Sequence, residues 1–435
     1  MTSPSVFPIT RFLPRSISTQ PGKAVNVLGA MLLLIVVAIA GFAQSSYGQA
    51  GANGVYKSTL KSSVMGEDRV ILVRLPTGYD INKRSYPVLY LLDGDAHLAH
   101  TSSTVEFLAR NGRMSEMIVV AIPNTDRTRD LSPTKPSAVG ATGAPQFPTA
   151  GGADKFLKFI ETELIPDVEK RYRTLPYRIL AGHSLGGLFA IHAMVARPEV
   201  FNSYVAVSPA LQWDNQVTVK RAEDFFKTRK ELNATLFVSL GAEPGPIEDG
   251  FHQFKQVLAK NQTKGFEWDA QQWTDEDHGS IVLRSHYVGL RKVYDGWQIA
   301  RDPEMGTVIG GLEGVEAHYQ KLSKKFHYEV PVPEPLMNQV GYQLLGQNKF
   351  EEAVAAFKKN IERYPESANV YDSLAEAYEI NGKIDLATPL YEKASQLGQK
   401  NNDPNAELFT RNFNRASEKL KQANAKPADP AKKSQ

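Results

Sequence analysis

Residues Tyr177–Ala196 read YRILAGHSLGGLFAIHAMVA, and the rest of the chain is organised around them. The apolar run Ile179-Leu180-Ala181 meets Gly182-His183-Ser184-Leu185-Gly186-Gly187, and a helix-patterned apolar run follows from Leu188 to Val195. The pattern predicts strand, tight turn and helix, with G-x-S-x-G at the turn. A serine on so sharp a turn sits in strained backbone. Its neighbours must be small for strand and helix to pass closely, and Gly182 and Gly186 meet that need. The turn would lift the Ser184 hydroxyl above the strand end. The helix would aim free N–H groups at the place where an oxyanion forms. A glycine-rich turn that merely contains serine is the plainer alternative, and the flanking strand and helix argue against it.

Around this stretch the chain alternates strands and helices, the signature of an α/β fold with a mostly parallel sheet. Val70 to Pro76 reads as a strand and Pro76 to Arg84 as a turn. Tyr86 to Leu92, YPVLYLL, is a continuous apolar run that predicts a strand buried on both faces. Met117 to Ile122, Tyr204 to Ser208, Thr235 to Gly241 and Glu267 to Trp273 predict further strands. Asp154 to Tyr172 predicts an amphipathic helix, with Phe156, Phe159, Ile160 and Leu164 on one side. In such sheets the chemistry collects beyond the C-terminal strand ends, and the polar clusters of this chain fall there.

After Leu92 comes Asp93-Gly94-Asp95-Ala96-His97. Asp93, Asp95, His97 and His100 could ligate a metal. The better reading is that this loop supplies an oxyanion N–H, from Asp95 or, failing that, Gly94, to complement the N–H of Leu185. After Ile122 comes NTDRTRDL, 124–131. Arg127 and Arg129, with Asp126 and Asp130, read either as a clamp on an anionic or hydroxyl-rich substrate or as a salt-bridged brace. Ser132 to Pro148, rich in Pro, Gly, Ser and Thr, predicts a mobile surface loop. Trp213, in the loop 208–214, would line an acyl pocket or pack within the loop.

A nucleophilic serine needs a base and an acid, in the order Ser, acid, His. Glu243 lies nearest the end of the strand Thr235–Gly241 and is the first candidate for the acid, with Glu248 and Asp249 as alternatives that could instead cap the next helix. His278, in the loop Thr274–Ser280 after a strand and before a helix, is the candidate base. His252 and His286 look helical, His318 and His327 lie beyond this region, and His183 would point away from its neighbour. An imidazole takes the hydroxyl proton near neutral pH, and the carboxylate holds it in the right tautomer.

YPVLYLLDGD, NTDRTRDL, AGHSLGG, LFVSLG and EDHGS together resemble the putative-esterase family of α/β-hydrolases. That family includes enterochelin-type siderophore esterases, feruloyl and acetyl-xylan esterases, S-formylglutathione hydrolase and mycolyltransferases. The resemblance spans roughly 55–295, and its nearest branch is the siderophore esterases. It implies a carboxylic ester or thioester substrate, a small molecule or a glycan-linked ester, and no cofactor. It places the second oxyanion donor at Asp95.

Composition sets outer limits. The 435 residues suit two or three domains, and the net charge of +3 gives no reason to expect a nucleic-acid partner. The absence of cysteine excludes a disulfide, a thiol nucleophile and Cys-ligated zinc. Arg11, Arg15 and Lys23 precede an apolar run from Val25 to Ala43. Small-residue sites follow at Gly41-Phe42-Ala43 and Gly48-Gln49-Ala50. That is the order of a signal peptide over residues 1–50, which predicts export to the periplasm or beyond. An uncleaved membrane anchor is the alternative.

A catalytic domain over 51–300 would be followed by a linker, 301–335, helix-like around Gly314 to Lys325 and then extended through Val330-Pro331-Val332-Pro333. Gly341, Ala353 and Phe357 recur as Ala375, Ala387 and Tyr391, each 34 positions later. The period resembles tetratricopeptide repeats. It predicts two repeats and a capping helix, Ala406 to Ala423, over 336–423, then a disordered tail, 424–435. The repeats would hold a protein partner or serve as a structural appendage. Three functional readings follow: an exported serine esterase, an inert scaffold acting through its repeats, and an acyltransferase.

Overall fold

The computed structural model describes residues 54–137 and 144–425. The expected targeting segment, the end of the tail and the middle of the loop 132–148 lie outside the described residues. One eight-stranded sheet has the order β1-β2-β4-β3-β5-β6-β7-β8. Its strands are β1 (Val55–Ser62), β2 (Glu67–Arg74), β3 (Tyr86–Leu92), β4 (Ile118–Ile122), β5 (Thr174–His183), β6 (Ser203–Val207), β7 (Glu231–Leu240) and β8 (Lys264–Gln272). The hairpin β1–β2 is antiparallel, β2 joins β4 antiparallel, and β3 to β8 run parallel.

Every residue of β3, β4 and β6 is buried, because helices cover both faces and leave no solvated side to alternate toward. One face carries Leu89, Leu91, Ile179, Ala181 and Val205 against α1 (Gly94–Arg110) and the later helix α8 (Ile281–Val293). Between these two come α2 (Arg127–Leu131), α3 (Ala153–Phe159), α4 (Ile165–Arg171), α5 (Leu185–Ala196), α6 (Trp213–Thr228) and α7 (Pro246–Lys260). The amphipathic stretch after Gly152 is a helix in two pieces, α3 and α4, joined by a π-helical turn at Ile160–Leu164.

The expected linker is a packed joint. Its helix α9 (Gly311–Phe326) sends Leu322 and Phe326 into the core beneath the sheet, and Val330 and Val332 are buried after it. Phe326 is the centre of an aromatic cluster. Tyr177, Tyr294 and Trp297 surround it, with ring centroids 5.0, 4.9 and 5.5 Å away. Tyr177 hydrogen-bonds Ser203, the first residue of β6, at 2.7 Å. The joint therefore lies toward the N-terminal ends of the strands. Tyr319 of α9 packs against this core and also against the next one. Phe326→Ala should cost the full chain about 3–5 kcal/mol. Chemical denaturation would show it, and a wild-type midpoint would mean that α9 is not part of the core.

The second core is shared by α10 (Glu334–Gly346), α11 (Phe350–Arg363) and α12 (Ala368–Ile380), and α12 pairs with α13 (Ile384–Lys400) through a further cluster of Ala375, Ala387 and Tyr391. α14 (Ala406–Ala425) packs on α13. The repeated positions explain the close packing. A Cβ on Gly341 would lie 2.5 Å from the Phe357 ring, and Ala353, Ala375, Ala387 and Tyr391 are all buried. Among the described residues no helix is long and apolar enough to cross a membrane.

Candidate active site

The C-terminal ends of β3, β5, β6, β7 and β8 deliver the candidate groups to one edge. At the end of β5, Ser184 has φ 59° and ψ −116°, a conformation that costs a non-glycine residue about 1–3 kcal/mol. The surroundings hold it there. Ser184 N–H donates to Val207 O at 2.9 Å, and Ala210 N–H donates to Ser184 O at 3.1 Å. A Cβ on Gly182 would lie 2.4 Å from Gly186 O, so β5 and α5 pass at a distance that only glycine permits. Leu185 opens α5, so its N–H has no helical acceptor.

The loop after β3 makes the facing wall. Asp93 turns left-handed, φ 51°, ahead of α1, and Asp95 stands in the first helical turn, where its own N–H has no helical acceptor. Gly94 cannot bear a side chain, because a Cβ would lie 2.6 Å from Ile122 N. The Asp93 carboxylate is buried and accepts from Arg127 Nε at 2.6 Å and Nη2 at 3.0 Å and from Asn124 Nδ2 at 2.7 Å. Burial pushes its carboxyl up, but the Arg127 and Asn124 bonds outweigh this and leave it below the usual range.

NTDRTRDL is more than a loop. The Asp126 side chain accepts from Arg129 N–H at 3.0 Å and caps the five-residue helix α2. Arg127 also donates to His183 O at 3.0 Å, so it ties the loop after β3 to the Ser184 turn. Arg129 pairs with Glu67 at 2.5 Å and Asp130 at 2.7 Å, and buried Arg69 pairs with buried Asp130 at 2.6 Å. Both guanidinium groups are thus spent on carboxylates of the chain, the geometry of a brace. Trp213 is buried. Its Nε1–H donates to Thr134 O at 3.3 Å, and its ring lies 4.9 Å from that of Phe147. The ends of the loop 132–148 are therefore tied down, and Ser132 itself is buried. Asp214, Asn215 and Gln216, three successive left-handed residues, follow Trp213.

At the end of β7 the Glu243 carboxylate meets His278, with Oε2 2.5 Å from Nδ1. Its other oxygen accepts from Ser208 Oγ at 2.5 Å and Gly241 N–H at 3.2 Å. Burial pushes the Glu243 carboxyl up, but His278 and Ser208 together bring it below its usual value, so it is the anion at neutral pH. Glu248 instead accepts from Gln272 at 2.6 Å, and Asp249 sits in the first turn of α7. The His278 loop is closed by its own bonds. Asp277 accepts from Gly279 and Ser280 N–H at 2.8 and 2.7 Å, and Glu276 O accepts from Ala242 N–H at 2.7 Å.

His183 turns from the serine toward this loop, with Nε2 2.7 Å from His278 O. Behind it stand His97, His100 and His286, with ring centroids 5.7 Å (His97–His183), 5.2 Å (His97–His100) and 5.7 Å (His100–His286) apart. Burial holds all four below the ordinary imidazole value, His183 at about 4. Among the described residues no group of three or more His, Asp or Glu is placed to hold a metal ion.

The family model described as putative esterase matches residues 62–278. The siderophore triacetylfusarinine C esterase of Aspergillus fumigatus is 32% identical over 270 residues, which cover 53% of this chain and 90% of that protein. The ferri-bacillibactin esterase BesA of Bacillus subtilis is 27% identical over 216 residues, 45% of this chain and 75% of that protein. The crystal structure of an IroE-like serine hydrolase from Shewanella oneidensis superposes with a TM-score of 0.60 at 26% identity, over 71% of this chain and 99% of that one. An uncharacterised protein from Capnocytophaga ochracea, only 16% identical, shares the fold with a TM-score of 0.64 over 83% of this chain and 99% of its own. Sheet order, turn and relatives agree, and the chain belongs to the putative-esterase family and is a carboxylic ester hydrolase.

Proposed function

We propose that the chain is an exported serine esterase that cleaves siderophore-type carboxylic esters through Ser184, His278 and Glu243. The observation that carries this reading is the His278–Glu243 pair at 2.5 Å, on the loops that flank the strained Ser184 turn. Ser184 Oγ attacks the ester carbonyl while His278 Nε2 takes its proton. Glu243 holds Nδ1–H and balances the imidazolium charge. The N–H groups of Leu185 and Asp95 receive the oxyanion, each worth about 3–4 kcal/mol to the transition state. The imidazolium then protonates the leaving alcohol. Water, deprotonated by His278, attacks the acyl-serine and releases the acid.

Two named siderophore esterases among the relatives support the substrate class. The charged, apolar and small-residue order of the N-terminus and the absence of cysteine support export. The helix pairs α10–α13 are tetratricopeptide repeats in this reading, presenting a surface to a protein partner. A fluorophosphonate, which phosphonylates an activated serine hydroxyl, tests the nucleophile directly. The full chain should turn over p-nitrophenyl and siderophore esters, and the reagent should stop it and add its mass to the peptide containing Ser184. Turnover that survives the reagent, or mass on a different residue, would overturn the assignment.

A further inference from the structure

Glu243 is an unusual choice of acid to leave unpinned. It lies on a loop, and a glutamate has one more rotatable bond than an aspartate. A free carboxylate there would sample orientations that break the bond to His278. The structure pins it. Ser208 Oγ donates to Oε1 at 2.5 Å, Gly241 N–H donates to the same oxygen, and Oε2 is left for the imidazole. Ser208 is fully buried at the end of β6, the strand between those that carry Ser184 and Glu243. Its own N–H is fixed on Ser239 O of β7 at 2.8 Å. The backbone is left-handed here, φ 37°, and precedes Pro209. Glycine would hold this conformation with less strain. What serine adds is the hydroxyl.

We propose that Ser208 is the positioning residue of the triad, its hydroxyl fixing the Glu243 carboxylate so that one oxygen always faces His278. This rests on the triad proposed above and deepens it. The two partners compete for one negative charge. The Ser208 bond is strongest while the imidazole is neutral and weakens when the imidazolium forms. Ser208 therefore favours the neutral base, and its removal should move the acidic limb of kcat/KM to higher pH.

The test compares Ser208→Ala, Ser208→Gly and Glu243→Gln in the full chain, with a p-nitrophenyl ester that the wild type hydrolyses, across the pH range in which each stays folded. Both Ser208 variants should lose about ten- to hundredfold in kcat, with KM little changed, as expected for a hydrogen bond to a charged group. Both should show the upward shift of the limb, and Ser208→Ala should add about threefold or less in the Glu243→Gln background. Ser208→Gly relieves the left-handed backbone, so it carries the test if Ser208→Ala does not fold. A kcat near wild type, or a loss of melting temperature with an unmoved limb, overturns the role of Ser208 while Glu243→Gln remains impaired. A Glu243→Gln enzyme of near wild-type activity overturns the triad itself and this role with it.

Discussion

Ser184→Ala is expected to lower kcat by about 10⁴-fold or more on any ester the wild type turns over, with KM little changed. The substitution removes only the hydroxyl. Alanine keeps a Cβ on the strained turn, the small neighbours Gly182 and Gly186 still let β5 pass α5, and the N–H groups of Leu185 and Asp95 remain. Binding should survive, because the groups that shape the site come from other loops. What disappears is the acyl-enzyme route, so a burst of p-nitrophenol in the wild type should vanish in the variant. The residual rate should reflect the oxyanion donors and binding alone. A variant within about tenfold of wild type would place the nucleophile elsewhere.

Mild acid should destabilise this protein before its carboxylates protonate. His97, His100, His183 and His286 are held neutral in the fold by burial, each below the ordinary 6.5. In the unfolded chain they take up protons once the pH drops below 6.5. The unfolded state then binds more protons than the fold, so stability falls with falling pH, by about 1.4 kcal/mol per pH unit for each histidine involved. The loss continues until the folded value is reached. For His183, held at about 4, the whole window is worth about 3 kcal/mol. That alone corresponds to about 4–6 °C in Tm for a chain of this size. Nearby charge does not rescue the cluster, because Asp93, which would favour an imidazolium at His97, is already paired with Arg127. Thermal unfolding across a pH series would show the decline, and His286→Leu should make it shallower by one proton. A Tm that stays level from about pH 7 to about pH 5 would sink the argument.

The parts of this fold that could be read from sequence are those decided by local pattern. Tyr86–Leu92 is apolar at every position because both faces are covered, and the observed strand has those same ends. The serine turn was legible because only glycine tolerates its close approaches. Nearness to a strand end favours Glu243 as the acid, and its carboxylate meets His278. What pattern could not show depends on neighbours far apart in sequence. Ser208 gains its partner from the loop after the adjacent strand β7, and Arg127 finds Asp93 from 34 positions away. The stretch 301–335 reads as a linker because glycine and proline punctuate it. Its apolar stripe, Val315, Leu322 and Phe326, is sparse, and its meaning depends on the aromatic residues it meets. The left-handed turn at Asp214–Gln216 has only a weak sequence signal, since Asp and Asn tolerate that conformation but none of the three is glycine.

The aromatic joint around Phe326 changes where this chain can be cut. A fragment ending near residue 300 would keep every group of the proposed triad, yet it would strip the cover from Tyr177 and Tyr294, two rings now almost wholly shielded from water. Aromatic side chains bury about 150–250 Å² each, so the scar would be an oily patch large enough to glue molecules together. An expression fragment should therefore run through the end of α9 and the buried valines at 330 and 332. By that measure the helical region starts with a piece of the catalytic body's own foundation.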